Sequence, residues 1–280
     1  MSIAYYNGKF TSIDKARIPL TDRAIFFGDG VYDAAIGKNG KIYMQSEHVA
    51  RFFKNAAAMG IPISESQETF TALLHNCVKL SGEDVFFLYF QATRFSKERV
   101  HAYGEKVGAN ILITVTKINE PTPDRTLTLS FFEDKRYSYC NVKTLNLLPS
   151  VLASTDALHR GFDEAIFLRG KTVTECAHSN VSIIKGEQLY THPESTAILS
   201  GTARAKMIEA AISLGAVCRE IPFSKDELLS ADEVLVSSST KLCARASRVE
   251  DKFFEQKKDS LGAKICKIMY NDFINSTKMG

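Results

Sequence analysis

The sequence lacks the features that mark several large classes of protein. Its six cysteines are widely scattered, with no Cys-x-x-Cys pair and no cysteine–histidine spacing of the kind that holds zinc. No apolar run approaches membrane-spanning length, and the first residues lack the basic start and apolar stretch of a secretory signal. The net charge is only +3, without a dense lysine and arginine run, which argues against a dedicated nucleic-acid binder. We therefore expect a soluble cytoplasmic protein with reduced thiols and no metal site.

The length and composition allow two domains with sizeable cores. The chain has 280 residues, of which 45% are hydrophobic and 24% charged. Residues 119–124 hold two prolines among polar neighbours, which makes them a poor strand or helix and a good linker. We predict a small N-terminal α+β domain over 1–118, the linker over 119–124, and a larger barrel-like α+β domain over 125–280.

Hydrophobic periodicity and turn residues predict the elements of each domain. Asn7-Gly8 indicates a hairpin turn between two short strands, and Ser46 is predicted to be the N-cap of a helix with one apolar face. In chain order, strands are expected at 3–7, 10–12, 31–36, 41–44, 85–93, 109–117, 126–132, 164–168, 172–174, 180–185, 188–191, 217–221 and 233–238, and helices near 46–59, 66–80, 147–160, 202–214, 225–229 and 260–274.

One lysine in the middle of the chain is a candidate for covalent chemistry. Lys143 stands among apolar and amide residues in the stretch 140–148. A lysine amine drawn out of water can lose its proton and become a nucleophile toward an aldehyde. Taken alone, the residue is equally consistent with the commoner case of a solvated surface charge.

Two segments are candidate phosphate sites. Thr202 and Ala203 follow Gly201 at a predicted helix start, where backbone N–H groups and the helix dipole favour an anion. Four consecutive hydroxyl residues at 237–240 follow a predicted strand and can donate to phosphate or simply form a loop. Arg51, on a predicted helix, could pair with a dianionic phosphate or lie on the surface.

Three further residues, Arg99, His101 and Glu175, are candidates for binding a substrate or a cofactor. Arg99 and His101 are two residues apart, so in an extended segment they lie on the same side, where an arginine fork and an imidazole suit a carboxylate. The alternative is a basic solvated loop. Glu175 could face the nitrogen of a bound ring or be a solvated turn residue.

The order and spacing of these pieces resemble the D-amino-acid (D-alanine) aminotransferase branch of the fold-type IV, or class IV, pyridoxal-phosphate-dependent aminotransferases. The resemblance extends from Tyr6 to about Val249. It is carried by the motifs Phe27-Gly28-Asp29-Gly30-Val31-Tyr32, Glu47-His48-Val49-Ala50-Arg51, Arg99-Val100-His101, Val142-Lys143-Thr144-Leu145-Asn146, and Thr174-Glu175 with Ser179-Asn180.

The resemblance implies a fold, a cofactor and a reaction. The fold would be a small α/β sandwich followed by a larger pseudo-barrel, with the active site between the domains of a homodimer subunit. The reaction would transfer the amino group of D-alanine to 2-oxoglutarate, giving pyruvate and D-glutamate, with Lys143 as the catalytic and aldehyde-binding residue. The other implied residues are Arg51, Glu175, Thr202, Ala203, Ser238 and Ser239 for the cofactor, and Tyr32, Arg99 and His101 for the substrate, the last two acting across the dimer interface.

The chain departs from the family pattern in three places, and other activities share its motifs. Asp33 replaces the usual glutamate, Thr202-Ala203 replaces Ile-Thr, and His178 stands in a loop that is usually small and serine- or glycine-rich; we favour a solvent-facing His178 over one that lines the substrate pocket. The alternatives within the superfamily are a branched-chain L-amino-acid aminotransferase, an aminodeoxychorismate lyase and an (R)-amine transaminase. The Arg-x-His pair argues against the first two. From other classes, the alternatives are a cofactor-binding protein without turnover or a non-enzymatic scaffold.

Overall fold

The computed structural model describes residues 2–95, 98–104 and 108–279. The chain divides into two compact units, which meet in sequence within the predicted linker, and unit 1 also takes in two segments that follow it. Unit 1 comprises Met1–Glu120, Val142–Asn146 and Asn275–Gly280, and unit 2 comprises Pro121–Asn141 and Leu147–Ile274. The Lys143 segment therefore belongs to the first unit, although it follows the linker in the chain.

Strands and helices alternate irregularly along the chain. The strands are β1 Ile3–Tyr6, β2 Lys9–Ser12, β3 Gly30–Lys38, β4 Lys41–Ile42, β5 Val85–Arg94, β6 Ala109–Lys117, β7 Thr126–Glu133, β8 Glu164–Arg169, β9 Thr172–Cys176, β10 Asn180–Lys185, β11 Gln188–Thr191, β12 Val217–Glu220, β13 Phe223–Ser224, β14 Glu233–Ser238, β15 Leu242–Val249 and β16 Lys252–Phe253. The helices are α1 Arg23–Phe27, α2 Gln45–Ala58, α3 Gln67–Ser81, α4 Leu148–His159, α5 Thr202–Ser213, α6 Lys225–Leu229 and α7 Leu261–Ser276, with a 3₁₀ turn at Ile13–Lys15.

Unit 1 is built on a six-stranded antiparallel sheet with the order β2-β1-β6-β5-β3-β4. The predicted hairpin joins β1 to β2, and both turn residues, Asn7 and Gly8, have positive φ, which matches the twist of the strands. Phe52 on α2 and Phe70 on α3 pack with Phe90 of β5 at ring distances of 5.0–5.6 Å. This aromatic contact fixes both helices against the sheet that carries β3.

Unit 2 is built on a mixed sheet with the order β12-β11-β10-β14-β15-β7-β8-β9-β13, and β16 pairs with β15. β7 runs parallel to both β8 and β15, and β10 and β14 are antiparallel. Both β10 and β14 are buried along nearly their whole length, which explains their continuous apolar character. The mixture of strands and helices in the two units confirms the predicted α+β class.

Three local predictions were wrong. Ser46 is not an N-cap but lies inside α2, whose N-cap is Met44 in the left-handed conformation, and the Ser46 hydroxyl bonds Glu47 instead. The short helix α1 was not predicted, although Asp22 caps it by accepting the Ala24 N–H at 2.9 Å. The central strand β15 was also missed, because two arginines and a serine interrupt its apolar pattern.

The described residues hold neither a membrane-spanning helix nor a cluster of metal-binding side chains. Within residues 2–95, 98–104 and 108–279, no helix has the length and apolar character needed to cross a membrane. The same part of the chain contains no group of three or more histidine, cysteine, aspartate or glutamate side chains arranged to hold a metal ion.

Candidate active site

The Lys143 segment pairs with strand β3 in unit 1. The Tyr32 N–H donates to the Lys143 carbonyl at 2.9 Å, and the Leu145 N–H donates to the Gly30 carbonyl at 3.0 Å. The half-buried Lys143 side chain places its Nζ 4.5 Å from the centre of the Tyr32 ring. The structure thus brings together two of the predicted site residues, an amine and a phenol ring, on one sheet edge.

The glycines of the Gly28-Asp29-Gly30 motif make this pairing possible. A Cβ on Gly30 would lie 2.7 Å from the Leu145 side chain and 2.8 Å from the Ala92 carbonyl, distances that real contacts do not reach. Gly28 adopts a φ of 60°, and its carbonyl accepts the Asn146 side-chain amide at 3.2 Å. Both glycines therefore serve the close approach of the lysine segment to the sheet.

Tyr32 and Asp33 point to opposite faces of β3, as neighbours in a strand must. Tyr32 stacks on Tyr89 with ring centres 5.4 Å apart. Burial raises the pKa of the Tyr89 phenol, and the nearby Tyr32 adds to the rise, so Tyr89 stays neutral. Asp33, in contrast, is fully buried toward α2.

Asp33 holds Arg51 in place. Its carboxylate accepts the Arg51 Nε and Nη2 at 2.8 Å each, and the His48 Nδ1 lies 2.8 Å from the same group. Burial alone would raise the pKa of Asp33, but the charge of Arg51 and the bonds from His48 and Arg51 hold it well below its usual range. The aspartate that departs from the family pattern thus acts on Arg51, the predicted phosphate residue, and faces away from Tyr32.

Arg99 and His101 lie on an exposed loop between β5 and β6 in unit 1. The His101 ring is 5.2 Å from the Phe27 ring, and the Arg99 guanidinium is 5.5 Å from the same ring. Phe27 closes α1, directly before the glycine motif. Both predicted carboxylate-binding side chains therefore contact one aromatic residue.

In unit 2, Glu175 is a buried carboxylate with three donors. Arg136 Nη1 makes a short ion pair with Oε1, and Oε2 accepts the Asn180 side-chain amide at 3.0 Å and the Leu199 N–H at 3.1 Å. Only 7% of the Glu175 side chain is exposed. The prediction of a solvated turn residue is thereby excluded, and Glu175 is held in one orientation.

Arg136 is itself fixed by a second carboxylate. Its Nε and Nη2 each donate to Asp134 at 2.9 Å, and Arg169 Nε donates to the same aspartate at 2.9 Å. Burial would raise the pKa of Asp134, but the bonds and charge of Arg136 and Arg169 keep it below its usual value. Burial would lower the pKa of Arg136, yet the Asp134 bonds and the Glu175 charge raise it. The Arg136 guanidinium therefore lies between the Asp134 and Glu175 carboxylates.

Asn180 connects this carboxylate to the predicted phosphate segments. Its side-chain amide also donates to the Leu199 carbonyl at 3.0 Å, and a Cβ on Gly201 would lie 2.1 Å from its oxygen. At the start of β10, Asn180 is paired with Ser237 of β14. One residue therefore links the Glu175 carboxylate, the segment leading into α5 and the end of β14.

The remaining predicted residues of unit 2 lie at the start of α5 and at the end of β14, the two segments that Asn180 connects. Thr202 and Ala203 are buried at the start of α5, where Gly201 has no side chain to cap the helix. Ser238, the last residue of β14, accepts the Lys241 N–H at 3.3 Å, and the half-buried Ser239 follows it.

His178 has 53% of its side chain exposed, in line with the solvent-facing prediction. Its Nδ1 lies 3.2 Å from Glu164 and 3.3 Å from the Lys241 Nζ. Glu164 is fully buried, and it also pairs with Lys241 at 3.0 Å. The histidine thus covers a buried ion pair, and its loop is tied to the residue that follows the hydroxyl segment.

Sequence reasoning missed the residues that hold the functional ones. Arg136 was not singled out, because nothing in the sequence around it distinguishes it from a surface arginine. Asn180 was noted only as part of a motif. No local signal could have found Arg136, because its partner Glu175 lies 39 residues further along the chain.

The donors fit pyridoxal phosphate. Its aldehyde needs an amine such as that of Lys143, and its ring nitrogen needs a carboxylate held as Glu175 is. Its phosphate needs N–H donors and a cation, the properties of the α5 start and of Arg51. Glu175 is the most firmly held of these groups, because Arg136, Asn180 and the Leu199 N–H all bond its carboxylate.

Comparison with known proteins identifies the family. A family model described as amino-transferase class IV matches residues 30–249. The chain is 34% identical over 237 residues to the D-alanine aminotransferase of Bacillus licheniformis, which covers 84% of each chain. It is 35% identical over 239 residues to that of Listeria innocua, covering 84% of this chain and 83% of the relative.

A solved structure shares the fold. The branched-chain aminotransferase of Thermoproteus uzoniensis superimposes with a TM-score of 0.90 over 99% of this chain and 96% of its own, at 19% sequence identity. At that identity the likeness concerns the fold alone. It confirms the predicted fold-type IV architecture.

The buried Asp33–Arg51 pair predicts an acid-sensitive fold. Because the pKa of Asp33 is lower in the folded state than in the unfolded chain, its contribution is complete above about pH 4 and is lost as the pH falls toward the folded value. Asp33→Asn should lower the free energy of unfolding at pH 7 by about 3 kcal/mol, because it leaves Arg51 without its buried counterion. Between pH 5 and pH 2 the variant should lose less stability than the wild type does.

Urea denaturation at a series of pH values measures both effects. Asp14→Asn is the matched control, because the Asp14 side chain is exposed and the same chemical change there should move stability by less than about 0.5 kcal/mol. Equal acid sensitivity in Asp33→Asn and the wild type would contradict the assignment of Asp33.

Proposed function

This chain belongs to the class IV aminotransferase family, and we propose that it transfers the amino group of a D-amino acid to a 2-oxo acid. It is a pyridoxal-phosphate-dependent transaminase. D-alanine and 2-oxoglutarate are the first substrates to test, with pyruvate and D-glutamate as products. The observation that carries the proposal is the Arg99 and His101 pair, two carboxylate-binding groups on one loop. The D-alanine aminotransferases at 34–35% identity support the same substrate class.

Lys143 does the covalent and proton-transfer work in this proposal. Its Nζ would hold the cofactor aldehyde, which would supply the group that activates the substrate Cα. Once free, the amine would remove the proton from the substrate Cα as a base and later give a proton back as an acid. The position of Nζ beside the Tyr32 ring supports this role, because the ring shields one side of the amine from water.

Glu175 sets the electronic state of the cofactor. When bound, pyridoxal phosphate supplies a ring that withdraws electrons from the substrate Cα, most strongly when its nitrogen is protonated. An ionised Glu175 facing that nitrogen favours the protonated form. The ion pair with Arg136 and the two further donors to Glu175 support this, since they keep the carboxylate charged and stationary.

The other residues are proposed to bind two anionic groups, the cofactor phosphate and the substrate carboxylate. Arg51, Thr202, Ala203, Ser238 and Ser239 are proposed to hold the cofactor phosphate. The ion pair with Asp33 holds Arg51 in position, and Thr202 and Ala203 are the first two residues of helix α5. Tyr32, Arg99 and His101 are proposed to contact the substrate, with the last two binding its carboxylate and thereby deciding which face of the substrate Cα meets Lys143.

A homodimer, with Arg99 and His101 acting across the interface, is also part of the proposal. It is supported by an exposed apolar surface on α4, where each of four side chains is at least 55% exposed. These residues are Leu148, Val151, Leu152 and Leu158.

The cytoplasmic location stays a prediction.

Mixing two inactive variants tests the dimer. If Arg99 acts in trans, Lys143→Ala and Arg99→Ala subunits should complement each other, because each mixed dimer contains one site with both residues intact. Random mixing should then recover about a quarter of the wild-type activity, since half the dimers are mixed and each has one working site. No recovery, in a sample that native mass spectrometry shows to contain mixed dimers, would mean that Arg99 acts within its own subunit.

The visible absorbance of the purified holoenzyme tests the reaction itself. Adding D-alanine alone should remove the band of lysine-bound cofactor, and L-leucine should leave it in place. Lys143→Ala should lack the band and lose at least about 10³-fold in transamination, because both the covalent link and the acid–base group are gone. Lys257→Ala is the control, because its side chain is 68% exposed.

The outcome also separates the alternatives. Loss of the band with L-leucine only would keep the family and Lys143 but overturn the role of Arg99 and His101, and it would favour a branched-chain activity like that of the structural neighbour. A stable band with every amino acid would support a cofactor-binding protein without turnover.

A further inference from the structure

Arg23, the first residue of α1, reaches the loop that carries Arg99 and His101. Its Nη1 donates to the Val100 carbonyl at 2.6 Å and its Nη2 donates to the His101 carbonyl at 2.9 Å. Only 6% of the Arg23 side chain is exposed. A buried guanidinium thus bonds two consecutive carbonyls of an otherwise exposed loop.

The guanidinium is fixed from its other side. Arg23 Nε pairs with Asp29 at 2.7 Å, and the same carboxylate pairs with Arg94 Nε at 3.0 Å. Arg94 in turn donates to the carbonyls of Met59 and Gly60 at 2.7 and 2.6 Å. Asp29, the middle residue of the glycine motif, therefore ties Arg23 to the end of α2 and to strand β5.

The same helix also touches the loop side chains. Phe27 lies 4.7 Å from the Arg23 guanidinium, 5.2 Å from the His101 ring and 5.5 Å from the Arg99 guanidinium. Asp22 caps α1 and also accepts the Thr93 hydroxyl at 2.8 Å and the Asn110 amide at 2.9 Å, on the two strands that bound the loop. These bonds join α1 both to the loop and to the two strands that bound it.

Fixing two consecutive carbonyls fixes the residue between them. Each peptide unit is planar, so a bond to the Val100 carbonyl and another to the His101 carbonyl set the planes on both sides of the His101 Cα. These planes determine where the His101 side chain points. The loop side chains themselves are exposed, and no comparably buried group among the described residues bonds both of these carbonyls.

We propose that Arg23 is a positioning residue that sets the geometry of the substrate-carboxylate loop and thereby the affinity for amino acids over simple amines. The inference rests on the proposed role of Arg99 and His101. Arg23 touches neither substrate nor cofactor in this account. Its effect passes through the backbone of Val100 and His101.

The test is Arg23→Lys, which keeps the charge opposite Asp29 but offers one compact ammonium that cannot span both carbonyls. The half-saturating concentration of D-alanine in the half-reaction should rise about tenfold or more, with the rate at saturation changed by less than about threefold. The rate with ethylamine, which is alanine without its carboxylate, should stay within about twofold of wild type, because it makes no use of the loop.

A binding measurement gives a readout apart from turnover. Propionate has the carboxylate and carbon skeleton of alanine but no amine, and its calorimetric affinity for the holoenzyme should fall by the same factor in Arg23→Lys. Arg17→Lys is the matched control, because Arg17 is an exposed arginine six residues earlier and bonds only carbonyls of its own turn in the described structure. Its constants should equal those of the wild type.

The outcomes separate the two proposals. If Arg99→Ala leaves D-alanine saturation and propionate binding unchanged, the loop does not bind the carboxylate, and both proposals fall. If Arg99→Ala weakens both but Arg23→Lys does not, only the inference about Arg23 is overturned. A parallel loss for D-alanine and ethylamine would also overturn it, because that pattern indicates general damage.

Asp29→Asn provides a second variant should Arg23→Lys not fold. It leaves the Arg23 carbonyl bonds in place but removes the charge that orients the guanidinium, so the same loss specific to carboxylates should appear with a smaller factor. Thermal melting of each variant verifies folding. Unchanged D-alanine and propionate affinity in a folded Asp29→Asn protein would contradict the positioning role.

Discussion

Pairing of buried or half-buried carboxylates with arginines is the interaction that fixes the candidate functional residues. A carboxylate removed from water must be neutralised or paired. In the first pair the arginine is the proposed phosphate residue, in the second the carboxylate is the proposed partner of the ring nitrogen, and in the third the arginine bonds the loop that carries Arg99 and His101. The three pairs are Asp33–Arg51, Glu175–Arg136 and Asp29–Arg23.

The elements that sequence reasoning predicted well are those whose own residues decide the outcome. The strand expected at 109–117 is β6 without any shift, because an apolar run between turn residues has few other options. β15 was missed because Arg245 is buried in it, which is possible only because Glu233 and the Lys257 carbonyl lie nearby in the fold. Ser46 was misplaced because Met44 tolerates the left-handed conformation expected of other residues.

In the candidate site, too, some residues could be predicted from the local sequence and others only from the folded chain. Lys143 and Glu175 were predicted from residue type and local motif, and the structure gives each a defined environment. Their partners are encoded far away, since Arg136 is 39 residues from Glu175 and Arg23 is 77 residues from Val100. No local pattern reports such a pairing, so the groups that orient the functional residues became visible only in the folded chain.

The most direct test of the central claim is exchange of the substrate α-hydrogen in D₂O, followed by proton NMR with the holoenzyme and no 2-oxo acid. If the carboxylate is held by Arg99 and His101 so that Lys143 meets the D-configured Cα, the α-proton signal of D-alanine should disappear and that of L-alanine should persist. Exchange of L-alanine with D-alanine unchanged would contradict the account, because Lys143 would then meet the opposite face of the substrate.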